Sequence, residues 1–325
     1  MNITMSHGSG GAQTSGLIHD IFLHYFNNPI LNKLEDAAVL KVPERIAFTT
    51  DSFVVSPLIF PGGDIGTLAI CGTVNDLTMM GALPRYLTAA FIIEEGTPIS
   101  TIEEIAGSMA KAAKEAGVKI VAGDTKVIEG NGGVYINTSG IGEIIQTGIS
   151  VSNCHIGDFI LVSGNLGEHH AAILSQRMGI SNEIKSDCAP LTGILKELIK
   201  AKIPVHFMRD ITRGGLATIL NEIADSSGCG VMIEEAALPV GSEVRGFCDI
   251  LGLDPLYMAN EGKLLAVVPK AEAVKALEAM RRNKYGKNAV ILGEIIDGDK
   301  VIMNTRLGGS RRIDLLYGEG LPRIC

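Results

Sequence analysis

The sequence predicts an α/β fold in two domains, on three observations. Apolar segments of strand length alternate with segments of helical period in both halves of the chain. The chain has 325 residues, more than one compact core usually organises. Its 39 glycines are scattered among apolar runs, so they read as tight turns of a packed chain and not as disorder.

Composition narrows the function classes. Apolar residues make up 46% and Trp is absent, so the core must be largely aliphatic. The net charge of −8, with no basic block, argues against nucleic acid as the main partner. No apolar run approaches the roughly eighteen residues that span a membrane, and the polar start Met1-Asn2-Ile3-Thr4-Met5-Ser6-His7 lacks signal-peptide anatomy. A cytoplasmic protein with reduced thiols is the expectation. The six cysteines (Cys71, Cys154, Cys188, Cys229, Cys248, Cys325) include no C-x-x-C pair, so a zinc knuckle is not expected. Cys71, Cys229 and Cys248 read as small core hydrophobes.

In chain order, His7-Gly8-Ser9-Gly10-Gly11 offers backbone that can approach an anion closely, or equally a flexible end. It fails G-x-G-x-x-G, because Gln13 holds the last glycine position. Residues 17–26 read as a helix closed by Asn27-Asn28-Pro29, and residues 37–42 and 45–55 as strands with Asp36 and Asp51 at their ends. Pro61-Gly62-Gly63-Asp64 turns into a helix at 65–80, with Ile65, Leu68, Ala69, Gly72 and Asp76 on or near one face. An acid on that small-residue face needs a partner. A strand at 86–93 leads to a helix opened by a Ser100-x-x-Glu103 capping box and closed at Gly117. The strand at 118–122 runs into Gly123-Asp124-Thr125-Lys126, and 134–145 is a strand in which Gly140 and Gly142 mark a bend. The pattern restarts near Gly148, dividing residues 1–148 from 149–317. Strands then fall at 159–162, 264–268 and 289–292, and helices at 191–201, 216–224, 244–251 and 271–282.

The usual nucleotide and hydrolase signatures are missing: G-x-x-x-x-G-K-[ST], G-x-S-x-G and H-E-x-x-H. Adjacent His169 and His170 cannot share one face of an element and read as loop residues. Asp36, Asp51, Asp76 and Asp124 each read as a turn or cap residue alone. Together they are the makings of an oxygen-rich Mg²⁺ site, with Lys126 as a point charge for phosphate. Glycines after Asp210-Ile211-Thr212-Arg213 leave free N–H groups at a helix start. Glu261, between Asn260 and Gly262 beside a buried strand, reads as a solvated loop residue on its own. The last residues, 318–325, end on Cys325 behind two glycines and Pro322, and extended they reach roughly 23–25 Å. A frayed end and a tethered thiol both satisfy that pattern.

Taken together, several segments resemble motifs of the HypE family of hydrogenase maturation factors, in the ATP-binding superfamily shared with aminoimidazole ribonucleotide synthetase and selenophosphate synthetase. They are His7-Gly8-Ser9-Gly10-Gly11, Thr50-Asp51-Ser52, Pro61-Gly62-Gly63, Gly72-Thr73-Val74-Asn75-Asp76, Gly123-Asp124-Thr125-Lys126, Thr212-Arg213-Gly214-Gly215, Ala259-Asn260-Glu261-Gly262-Lys263 and the ending Leu321-Pro322-Arg323-Ile324-Cys325. The resemblance covers nearly the whole chain, and the ending is its most specific part.

The resemblance implies a two-domain aminoimidazole ribonucleotide synthetase-like architecture, with a C-terminal α/β domain and a mobile tail at 318–325. It also implies a homodimer whose N-terminal sheets pair. The implied reaction is on the tail: the carbamoyltransferase HypF loads Cys325 as an S-carboxamide, and ATP-dependent dehydration converts it to an S-cyanide. That group passes to a HypC–HypD scaffold for the iron of a nickel–iron hydrogenase. Matched motif by motif, Asp51, Asp76 and Asp124 would serve metal and nucleotide, with Asp36, Thr125, Gly10 and Gly11 on the nucleotide. Lys126 and Glu261 would be catalytic, Glu261 as the general base. Two departures stand out: Gly167-Glu168-His169-His170 where relatives carry Gly-Asp-His-Gly, and Glu35-Asp36 where a double aspartate is common. Two alternatives remain open, a small-molecule synthetase or kinase of the same superfamily and a non-enzymatic thiol carrier.

Overall fold

A computed structural model of the chain describes residues 2–9, 11–35 and 37–315. Gly10, Asp36 and Cys325, with the tail at 318–325, lie outside the described residues.

The first half builds a four-stranded sheet. A helical run opens it: α1 (Ala12–Leu17), a π-helical turn at Ile18–Phe22, and α2 (Leu23–Phe26). Then come β1 (Ile46–Phe53), the short β2 (Ile59–Phe60) and β3 (Gly63–Asp64), α3 (Ile65–Met79), β4 (Ala82–Glu94), α4 (Ile99–Ala116), β5 (Lys119–Ile128) and β6 (Val134–Ile144). The strand order is β1-β6-β4-β5. Only β4 and β5 run parallel, and α4 supplies the crossover such a pair requires. Period-2 alternation decides the faces. Val134, Ile136 and Thr138 are buried, whereas Tyr135, Asn137 and Ser139 are only half-buried. Thr138 bonds Ala69 of α3, so the buried face is the helix-covered one. The other face carries Phe48, 66% exposed, with Ile46 and Ile92, and no described helix covers it.

The second half contains β7 (Phe159–Val162), α5 (Glu168–Met178), α6 (Thr192–Lys200), β8 (Phe207–Asp210), α7 (Gly215–Ser227), β9 (Gly230–Glu234), α8 (Ser242–Leu251), β10 (Leu264–Val268), α9 (Ala273–Arg281), β11 (Val290–Ile296), β12 (Val301–Asn304) and β13 (Ser310–Arg312). Seven strands pair in the order β13-β12-β9-β11-β7-β10-β8. All five residues of β10 are buried. Residues of α7 pack in one core cluster with Leu265 and Val267, and residues of α6 and α9 in another with Leu264, Ala266 and Val268. Cover on both faces explains why β10 reads as an unbroken apolar run.

Several local expectations change. The first helical run begins at residue 12, not 17, with Gly11 as its N-cap. No strand forms at 37–42, where Val39 is 82% exposed and finds no buried face. The Ser100 capping box is absent: the helix starts at Ile99 after Pro98, whose φ of −62° already suits a helix entry, and Ser100 lies inside the first turn. The strand expected at 118–122 continues to Ile128, so Asp124 to Lys126 are strand residues and not loop residues. His169 and His170 are helical, in the first turn of α5, and buried. No helix among the described residues is long and apolar enough to cross a membrane.

Candidate active site

The site is seated where β1 meets α3. Thr49 and Asp51, two residues apart, share the face of β1 that looks at α3. Gly72 makes that approach possible, because a Cβ there would lie 2.7 Å from the Phe53 ring and 3.8 Å from Asp51 Oδ2. One turn later Asp76 accepts a hydrogen bond from Thr49 Oγ1 at 3.0 Å, the partner an acid on this helix face requires. Burial, reinforced by the charge of Asp51, still pushes the Asp76 carboxyl above the usual carboxylate range.

Asn75 then joins the two halves. Its Nδ2 donates to the carbonyls of Ala189 at 3.0 Å and Glu261 at 3.5 Å, and its Oδ1 accepts the Leu191 N–H at 2.8 Å. A buried amide with these three partners costs about 1–3 kcal/mol to remove if a backbone group is left unpaired. Beside it, Glu261 is 9% exposed. Burial first, then the charges of Asp187, Asp210 and Asp51, push its carboxyl well above the usual range, and Arg213 offsets part of this.

The loop that carries Glu261 is held by Asp187, whose side chain is 1% exposed. Asp187 accepts the N–H of Glu261 at 3.2 Å and of Gly262 at 3.0 Å. Lys263 lies 3.2 Å from both Asp187 and Glu168. Burial alone would pull the Lys263 ammonium down, but the two carboxylates hold it above its ordinary value. Only glycine fits at 262, since a Cβ would stand 1.9 Å from the Asp187 carbonyl oxygen. Asp210 closes β8 nearby, and burial together with Asp76 raises its carboxyl to about 7. Asp51, Asp76, Asp210 and Glu261 therefore form one acidic cluster between the two sheets. Crowded carboxylates are all-oxygen donors of the kind a hard divalent cation such as Mg²⁺ takes.

Asp124 and Lys126 stand elsewhere. They are on β5, at the opposite edge of the sheet from β1, about 14 Å away across three strand spacings. Asp124 aligns with Ala90, Asn137 and Ser52, on the face away from α3. It holds Lys126 Nζ at 2.6 Å, and this pairing keeps its carboxyl below the usual range. Within one chain these two do not join Asp51 and Asp76. Thr125 alternates to the other side and lines a cavity of about 400 Å³ with Gly8, Phe22 and Phe91, and Asp124 and Lys126 border the same cavity from the edge strand. Glu35 and Ala37, on either side of Asp36, also border it.

Sequence reasoning misses Asp187, which follows no strand and carries no motif; its value lies in backbone N–H groups that only the fold presents. It reads Asp210 only as the start of a glycine turn, although its place at a strand end is the signal that flagged Asp51. His169 Nδ1 contacts Ser186 Oγ at 2.8 Å, and burial lowers the His169 ring to about 4. That histidine supports the segment leading into Asp187.

Comparison with known proteins identifies the family. Residues 34–144 match the family model of the AIR synthase related protein N-terminal domain, and residues 155–305 that of its C-terminal domain. A carbamoyl dehydratase HypE of Rhodobacter capsulatus is 48% identical over 335 residues, spanning 99% of this chain and 98% of the relative. The crystal structure of a hydrogenase maturation protein HypE in complex with ATP matches with a TM-score of 0.95 and 46% identity, over 99% of both chains. A HypE–HypF complex matches with a TM-score of 0.81 and 48% identity, over 94% of this chain and all of that one. This chain belongs to the HypE family of carbamoyl dehydratases.

Proposed function

We propose that the protein dehydrates a carbamoyl group carried on the thiol of Cys325 to an S-cyanide at the expense of ATP, for the cyanide ligand of a nickel–iron hydrogenase. The observation that carries the reading is the delivery of Glu261 into an acidic cluster built from both halves of the chain, by Asn75 on one side and Asp187 on the other. An amide oxygen is a poor leaving group at neutral pH. Moving the γ-phosphoryl group of ATP onto it turns departure as water into departure as phosphate. The amide nitrogen must give up its two protons as the nitrile forms, and Glu261 is the general base for that step. Its burial beside other carboxylates raises its proton affinity, which makes it a stronger proton acceptor than a solvated carboxylate.

Asp51 and Asp76, with Asp210 beside them, would hold Mg²⁺. When bound, the ion would neutralise charge on the phosphates. The cavity beside β5, apolar at Phe22 and Phe91 and polar at Thr125, suits the base and sugar of ATP; Gly10, Gly11 and Asp36 are assigned to the nucleotide by their motifs alone. Asp124 and Lys126 lie on the open face of the first sheet. In a homodimer joined through that face they would meet the second copy, with Lys126 as the phosphate's point charge. This also gives the apolar Phe48 face a use. HypF would load Cys325, and a HypC–HypD scaffold would receive the cyanide. A body divided near Gly148, a tail at 318–325 long enough to enter the cleft, and a cytoplasmic location complete the reading.

Calorimetry with ATP and Mg²⁺ tests it first: binding to the wild type and loss of metal-dependent affinity in Asp51→Asn are expected. ATP turnover coupled to cyanide transfer that survives Cys325→Ala would end the proposal. A purified chain that binds no ATP would favour the simple thiol carrier.

A further inference from the structure

A second cluster of ligand-type side chains lies at the far end of β8. His206 precedes this strand and Asp210 closes it, so the two ends are separated by four residues, about 13 Å. Nδ1 of His206 is 2.7 Å from Oδ2 of Asp158, and Nδ1 of His155 is 3.8 Å from the same oxygen. The three donor atoms all lie within 4.8 Å of one another. The acidic cluster offers oxygen alone; this one offers two imidazole nitrogens and one carboxylate.

The donors are held in place by their surroundings. Asp158, its side chain 7% exposed, is aimed by the backbone N–H of His155, which donates to Oδ2 at 2.8 Å. The backbone of His206 is pinned by its N–H to the Val267 carbonyl at 2.9 Å and by its own carbonyl to the Ser150 N–H at 2.8 Å. A single His206–Asp158 hydrogen bond would suffice to tie β8 to the turn before β7. It does not explain the third side chain. His155 is 69% exposed, and its ring lies edge-on to that of His206 with centroids 5.2 Å apart. Among the described residues, the ion-pair partners of Asp158 are these two imidazoles.

We infer that His155, Asp158 and His206 bind a borderline transition-metal ion of the Zn²⁺ class, separate from the proposed Mg²⁺ site. Imidazole with one carboxylate suits such an ion better than it suits Mg²⁺. Tetrahedral bonds of about 2.0–2.2 Å place neighbouring donors roughly 3.4 Å apart. His206 Nδ1 therefore withdraws by less than about 1 Å and His155 Nδ1 closes by about half of that. The ion takes the place of the hydrogen shared between His206 and Asp158. Three protein ligands leave one position open on the exposed His155 side, as in exchangeable and not structural zinc sites.

Titration of the full-length protein with Zn²⁺ by calorimetry, and with Co²⁺ followed by electronic absorption, tests the inference. One ion per chain is expected, at micromolar affinity or tighter, with a nitrogen and oxygen spectrum that lacks thiolate charge transfer. His155→Ala, a change at an exposed ring that leaves folding intact, should weaken binding by about tenfold or more, and His206→Asn likewise. Unchanged affinity in His155→Ala, a thiolate spectrum, or no saturable binding at about 100 μM would each overturn it.

Discussion

Glu261 sits with its carboxyl facing Asp51, Asp187 and Asp210, and its behaviour follows from that company. Glu261→Gln keeps the shape and removes the proton acceptor. It should bind ATP normally and slow nitrile formation by about 10²–10⁴-fold, read by single-turnover kinetics. Asp187 acts through position. Its two oxygens accept two N–H groups and face Lys263, so Asp187→Asn turns an amide N–H toward a donor. An at least tenfold fall in turnover with unchanged ATP affinity is expected, and a change in ATP affinity alone would assign Asp187 to binding. Asp210 gives a pH test. An unfolded aspartate titrates near 3.9 and the folded Asp210 near 7. Between these values the folded state holds more protons, so this residue's contribution to stability falls as pH rises through the window, and the loss is complete above it. Asp210→Asn should raise the melting temperature at pH 8 and leave it nearly unchanged below pH 4. At this scale the sequence reveals Asp76 clearly, because an acid on a small-residue helix face breaks the pattern. Asp187 breaks no pattern and stays hidden.

Among the elements, α3 does the joining. Its face of small residues lets β1 and α4 come close, and its last turns carry Asn75 and Asp76 side by side. Loss of the amide in Asn75→Ala leaves the Leu191 N–H without its partner in a buried setting. About 1–3 kcal/mol of stability should go, measured by urea unfolding. Activity should fall further than stability explains, since the same amide reaches the Glu261 carbonyl. Periodicity makes α3, α4 and β10 readable in the sequence, because each has one dominant pattern. It fails for α5, where His169-His170 looks polar but is buried. It also fails at 37–42, where β-branched residues have no neighbouring strand to pair with.

For the whole molecule, the division of labour lies between the two faces of the first sheet. The covered face seats the acidic cluster; the open face displays Asp124, Lys126 and Phe48. If that face joins two copies, Phe48→Glu should convert the dimer to monomer in analytical ultracentrifugation and weaken ATP-dependent activity with it. A variant that stays dimeric would move the interface elsewhere. The α/β plan in two halves is legible from alternation and length alone. The separation of Asp124 from Asp51 is not, because sequence spacing says nothing about which sheet edge a strand takes.

The most direct measurement is the mass of the C-terminal peptide after loading of Cys325 by HypF, with and without ATP. The peptide should gain a carbamoyl group on loading and lose the mass of one water only when ATP is present. Loss of water without ATP, or an unchanged carbamoylated peptide while ATP is consumed, would contradict dehydration at this site.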